Sequence, residues 1–201
     1  TSIMETMRYT SYANTKTVYD IFRQIARGAK ISGAAAQIVV QYGQRNYAET
    51  RDMELQWFDI RELTEDAAQT VIGMMDETRR RRVADIAGED DRKRTIAGEL
   101  LVRRMAAATL HCAEKDVPLT WDELGKPTVE RGGVYVSVSH SGAWAVCVTA
   151  DVPVGVDVEV IRSAQEKFMR RVCSAEEMAY IRPGDDGGCR RFWEIWTAKE
   201  S

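Results

Sequence analysis

An α+β fold follows from two features of the sequence. Three short β-like segments crowd together at residues 134–139, 143–150 and 154–160, separated by Ser-Gly and Asp-Val-Pro turns. Helical patterns lie on both sides of them, and strands and helices mix without the strict alternation that a parallel sheet requires. With 201 residues the chain can form one large domain or two small lobes.

Taken in order, residues 1–52 read as a helical extension. Val18, Ile21, Phe22 and Ile25 fall at i, i+3, i+4 and i+7, one face of a helix, with Asn14 available as its cap. Residues 33–47, rich in Ala and Gln, read as a second helix, and no recognisable chemical group lies in this region. From residue 53 the texture changes. The run ELQWF at 54–58 is a short strand with Leu55 and Trp57 on one face. A helix covers about 64–76, four consecutive arginines occupy 79–82, and a long helix runs over about 90–111 with Ile96, Leu100, Leu101 and Met105 as its buried stripe. Residues 118–121 form a strand, and Gly125, Lys126 and Pro127 a turn. Ser174 opens a helix to about Ile181, residues 182–188 form a loop, and a last helix starts near Cys189 and is still running at Ser201.

Composition sets outer bounds. The chain is 44% apolar and 29% charged, as an ordinary folded domain is, so disorder is not its main content. A net charge of −3 gives no overall attraction to nucleic acid, and a polyanion would have to be held by a local patch. The cysteines at 112, 147, 173 and 189 have no CxxC spacing and the histidines are only His111 and His140, too few clustered soft ligands for zinc. Reduced thiols of a cytoplasmic protein are the expectation. No stretch approaches the about 18 apolar residues of a membrane span. The first residues, TSIMETMRYT, lack a leader pattern and an initiator methionine, and the last residue falls inside a helix, so both ends read as cut.

Chemistry concentrates near the C-terminus. In VGVDVE at 154–159, alternation turns Val154, Val156 and Val158 to one face and Asp157 and Glu159 to the other. Two adjacent carboxylates repel, and a divalent cation relieves that repulsion; ligation by oxygen alone favours Mg²⁺. Two solvated acids on an edge strand would give the same pattern. In FWEIWTAKES, Lys199 and Glu200 sit about 100° apart on a helix, a pairing that suits a metal held beside a phosphate and equally a solvated face. Ser139, His140 and Ser141 end a strand at the rim of a sheet, where an imidazole between hydroxyls suits phosphate oxygens. A Ser–His catalytic pair is strained there, because neighbours on a strand face opposite ways. His111 is placed to close the long helix. The arginines at 79–82 and the run Arg92, Lys93, Arg94 are phosphate-binding candidates or a solvated face, and Ser174 with Glu177 is a capping box.

Read in order, GKP at 125–127, SVSHS at 137–141, VGVDVE at 154–159, CSAEE at 173–177 and WTAKES at 196–201 resemble a 4′-phosphopantetheinyl transferase of the Sfp type. The resemblance spans about 53–201. It implies an α+β fold of two similar lobes, 53–150 and 151–201, the second incomplete here because in that family the helix continues past Lys-Glu-Ser. It implies transfer of 4′-phosphopantetheine from coenzyme A to a serine of an acyl or peptidyl carrier protein, with Mg²⁺ as cofactor and 3′,5′-ADP released. Neither nucleic acid nor membrane is an expected partner. By the same resemblance, Asp157, Glu159 and Glu200 are the metal acids, Lys199 and His140 meet the diphosphate, and Ser139, Lys126 and Pro127 line the coenzyme site. Arg79, Arg82, Arg94 and Thr95 match its basic phosphate positions, and Glu177 or Glu200 is the base. A truncated chain would be weakly active or unstable; the alternative is a non-catalytic remnant that binds coenzyme A or the carrier protein.

Overall fold

The computed structural model describes residues 6–9, 36–42, 53–185 and 187–200. A four-stranded antiparallel sheet has the order β1 (Thr6–Tyr9), β3 (Met53–Asp59), β7 (Trp144–Ala150), β6 (Tyr135–Ser141). A second, two-stranded sheet pairs β2 (Ala36–Tyr42) antiparallel with β8 (Val154–Val160), and a hairpin pairs β4 (Leu119–Trp121) with β5 (Pro127–Val129). The helices among the described residues are α1 (Glu65–Met74), α2 (Glu77–Ala84), α3 (Glu89–Leu110), α4 (Glu166–Val172), α5 (Ala175–Ile181) and α6 (Gly188–Glu200).

One expectation is overturned. Residues 33–47 do not form a helix throughout, because Ala36–Tyr42 is a strand whose register sets Val39 opposite Asp157 and Val40 opposite Val156. The run Ile38, Val39, Val40 is β-branched, and a partner strand far away in sequence decides its state. The helix expected over Val18–Ile25 lies outside the described residues.

Elsewhere local chemistry sets the boundaries. Thr64 caps α1, its Oγ1 accepting from the Ala67 N–H at 3.3 Å, and Asp76 caps α2, accepting from the Arg79 N–H at 2.8 Å. Glu89, Asp90 and Asp91 occupy the first turn of α3, where negative charge suits the helix dipole. That helix stops at His111, which takes a left-handed φ of 53°. The arginines at 79–82 sit on α2, which the sequence pattern left unassigned, as it did α4 and β5.

Packing explains why β7 reads as a continuous apolar run. Its residues Ala145 and Cys147 face α1–α3 and join a core that includes Phe58, Leu101 and Met105. Val146 and Val148 face the other way and pack with Leu55, Trp57, Val156 and Val158. With both faces covered, the strand has no solvent side to be polar. A third cluster, Met169, Ile181, Phe192 and Trp193, forms around α4, α5 and α6. The indole N–H of Trp193 donates to the Arg162 carbonyl at 2.7 Å, tying α6 to the chain just after β8.

Gly142 forms the β6–β7 turn at φ +57°, and a Cβ there would stand 2.6 Å from Val160 Cγ2 on β8. Gly142→Ala is therefore expected to lower unfolding stability by about 1–2 kcal/mol through backbone strain plus this contact. A denaturant midpoint equal to wild type would refute it.

Candidate functional site

Strands β6 and β8 run side by side in the same direction, and side chains rather than a backbone ladder join them. The Oγ atoms of Ser137, Ser139 and Ser141 accept from the N–H groups of Val156, Val158 and Val160 at 3.1, 3.2 and 3.3 Å. Ser139 Oγ also donates to Asp157 Oδ1 at 2.6 Å, and Ser141 Oγ to Glu159 Oε2 at 2.8 Å. Both carboxylates are half-buried, with Val156 and Val158 buried on the opposite face of β8. Burial pushes the Asp157 carboxyl above its ordinary value, and bonds from Ser139 and the Val158 N–H pull it back. Its second oxygen, Oδ2, is buried without a hydrogen-bond partner among the described residues.

That orphan oxygen and a wholly oxygen donor set fit a hard divalent cation. Glu200 lines the same cavity, of about 540 Å³, as Ser139, Asp157, Lys126 and Pro127. The three acids nevertheless do not converge. Among the described residues, no three His, Cys, Asp or Glu side chains gather closely enough to hold a metal as they stand. Lys126 and Pro127 reach the cavity on the β4–β5 hairpin, whose turn is closed by Asp122 Oδ1 accepting from the Lys126 N–H at 2.8 Å.

His140 lies on the other face of β6, toward α3. Its residue is exposed, yet the protein around the ring lowers its pKa by burial, and Arg94 and Arg79 add to the lowering while Asp91 opposes it. The imidazole is thus neutral near pH 7 and offers a hydrogen bond rather than a charge. Around it the structure brings together two of the predicted phosphate residues, Arg94 and Arg79, with Thr95 next to Arg94 on α3. Arg94 is paired with Asp91 and donates to the Gly142 carbonyl at 2.6 Å. Thr95 Oγ1 donates to the Asp91 carbonyl at 2.9 Å. Arg79 lies 3.9 Å from the Trp121 ring and 3.5 Å from Glu99, a fully buried carboxylate that also takes Arg103 at 2.7 Å. Arg82 donates to the Asp122 carbonyl at 3.1 Å. Arg79 and Arg82 therefore also hold the hairpin that carries Lys126.

Lys199 and Glu177 make a separate pair. Lys199 Nζ donates to Glu177 Oε2 and to the Val172 carbonyl, each at 2.7 Å. The same Glu177 oxygen accepts from the Ser174 N–H at 2.7 Å, completing the capping box of α5. The Lys199 bond first, then the Ser174 N–H, hold this carboxyl below its ordinary value.

Pattern reading missed the partners of these groups. The Ser-x-Ser-x-Ser period at 137–141 was the available signal for one face of hydroxyls. Glu99 could have been found as a charge inside the apolar stripe of a long helix. Nothing local pointed to Trp121 under Arg79.

Residues 153–201 match the family described as the 4′-phosphopantetheinyl transferase superfamily, and residues 62–152 match that described as 4′-phosphopantetheinyl transferase, N-terminal. The chain is similar to the 4′-phosphopantetheinyl transferase gsp of Aneurinibacillus migulanus, with 30% identity over 55% of this chain and 47% of that one. It is similar to the 4′-phosphopantetheinyl transferase Sfp of Bacillus subtilis, with 24% identity over 70% of this chain and 64% of that one. A phosphopantetheinyl transferase of Thraustochytrium is 34% identical over 61% of this chain and 49% of its own length. The chain therefore spans from about half to under two thirds of these relatives.

A native carboxyl with a raised pKa loses stability as pH climbs from the unfolded value through the folded one, because the folded state resists ionisation. With divalent cations chelated, Asp157→Asn is expected to melt a few degrees above wild type at neutral pH, with the gap closing toward about pH 4. Thermal melts across that range test this, and a constant gap would contradict it.

Proposed function

The chain belongs to the Sfp-type 4′-phosphopantetheinyl transferases, and on that premise we propose that it moves 4′-phosphopantetheine from coenzyme A to a serine of an acyl or peptidyl carrier protein. The observation that carries the proposal is the paired carboxylate strand beside a cavity, with Asp157 Oδ2 buried and unpartnered among the described residues. The carrier serine hydroxyl attacks the phosphorus bearing pantetheine, the P–O bond to the departing 3′,5′-ADP breaks, and the hydroxyl proton passes to a base. Such a transfer asks for positioning and charge neutralisation rather than a covalent intermediate, which accords with the lack of a credible nucleophile in the sequence.

Asp157 and Glu159 would hold Mg²⁺, with Glu200 on the cavity that Asp157 lines; when bound, the ion neutralises charge on the diphosphate. Lys126 and Pro127 line the coenzyme side, and Ser139 is committed to Asp157. His140, with Arg79 and Arg94 nearby and Thr95 next to Arg94 on α3, forms a second phosphate-binding group, and Arg82 on α2 ties it to the hairpin. The chain divides at about residue 150 into two lobes, 53–150 and 151–201, with helix-packed clusters on either side; of the N-terminal extension, Thr6–Tyr9 pairs with β3 and Ala36–Tyr42 with β8. Among the described residues no helix is long and apolar enough to cross a membrane, and a cytoplasmic setting suits the chemistry.

For the base we favour Glu200. Glu177 is occupied as a cap and by Lys199, and its lowered pKa makes it a weak proton acceptor. Its role is to hold Lys199.

Incubation with coenzyme A, Mg²⁺ and an apo carrier protein is expected to add phosphopantetheine to the carrier serine, read by mass, with stoichiometric 3′,5′-ADP. Chelation should abolish it, and Asp157→Ala should lower the rate by about a hundredfold or more. Binding of coenzyme A without 3′,5′-ADP release would instead mark a non-catalytic binding chain. Glu177→Gln keeps the cap and should lower turnover by less than about tenfold, whereas removal of the base costs about 10²–10⁴-fold. A loss in the latter range would make Glu177 the base.

A further inference from the structure

The hydroxyl row of β6 does more than join two strands. Each serine oxygen accepts one β8 amide N–H, at positions 19 residues apart in sequence, so the contact repeats every second residue. Accepting that bond leaves the hydroxyl proton free to donate. At Ser139 and Ser141 the proton goes to the carboxylate opposite, Asp157 Oδ1 and Glu159 Oε2. At Ser137 the residue opposite is Gly155, which has no carboxylate to receive it.

We propose that Ser139 and Ser141 are positioning residues for a divalent cation, each fixing one oxygen of its carboxylate and leaving the other to face the ion. The inference rests on the cation site proposed above. It explains why hydroxyls stand here. A lysine or arginine in the same place would neutralise the acids and compete with the cation, whereas a neutral donor orients a carboxylate and leaves its charge in place. Asp157 shows the outcome: Oδ1 is held at 2.6 Å by Ser139, and Oδ2 is the oxygen without a partner among the described residues. Two like charges on one strand face would otherwise swing apart, and the fixed hydroxyls hold them side by side.

Ser137 supplies an internal control, since it makes the same strand-to-strand bond and touches no acid. The test is a titration of the 201-residue chain with Mn²⁺ in the presence of coenzyme A, with the free ion followed by electron paramagnetic resonance and a protein-free titration subtracted. Ser139→Ala and Ser141→Ala are each expected to weaken Mn²⁺ binding by about tenfold or more. Ser137→Ala should lower the melting temperature comparably while leaving Mn²⁺ affinity unchanged, and Ser141→Thr, which keeps the hydroxyl, should restore most of the affinity. If the alanine variants unfold, Ser141→Cys fills the space with a weak donor and should show the same loss. Equal losses in all three alanine variants, or none at Ser139 and Ser141, would overturn the positioning role alone. No Mn²⁺ binding by the wild-type chain would overturn the cation site itself.

Discussion

Strand β8 lies beside the edge of the larger sheet without sharing a backbone ladder with it, and the Ser137–Ser139–Ser141 row makes that arrangement possible. A hydroxyl is long enough to reach an amide one strand away and short enough to keep the strands parallel and close. Without those bonds the N–H groups of Val156, Val158 and Val160 would be left half-buried and unpaired on that side, a loss of about 1 kcal/mol or more each. The same contact packs Val156 and Val158 on Leu55, Trp57, Val146 and Val148. Core and site are thus built by one seam, apolar on one side of β8 and acidic on the other.

The seam also divides labour among the charged groups. Asp157 and Glu159 share one face of β8, and Asp157 lines the cavity, where burial raises its carboxyl. Basic groups cluster on the opposite side of β6, around His140, where Arg79 and Arg94 lower the imidazole further. A phosphate-rich ligand that bridges the rim of β6 would meet carboxylate oxygens on one side and guanidinium groups on the other. The arginines are held in advance: Glu99 and Trp121 flank Arg79, and Asp91 and the Gly142 carbonyl hold Arg94. Side chains held by such partners lose less entropy when a ligand arrives.

Lys199 and Glu200 show how one helical turn can serve two places. Adjacent residues on α6 diverge by about 100°, so Glu200 reaches the cavity while Lys199 turns to Glu177 and the Val172 carbonyl. That pair joins α6 to the start of α5, and with it the aromatic core of Phe168, Phe192 and Trp196.

Sequence alone determined the features that depend on near neighbours. The capping box of Ser174 and Glu177, the buried stripe of α3, the closing role of His111 and the opposed faces of Val158 and Asp157 follow from periods of 3.6 and 2 and from local hydrogen bonds. The order of five motifs carried the family. Tertiary structure decided whatever needed a distant partner. Ala36–Tyr42 is a strand because Val154–Val160 lies beside it, although the Ala and Gln around its β-branched centre read as helix. Arg79 rests on Trp121 and Glu99, which its place in an arginine run does not reveal. The acids at 157 and 159 could have been solvated on an edge strand; the serines 18 residues earlier turn them into an ordered pair. Local pattern records which way a side chain points, while its partner is set by a register between strands that no short stretch of sequence contains.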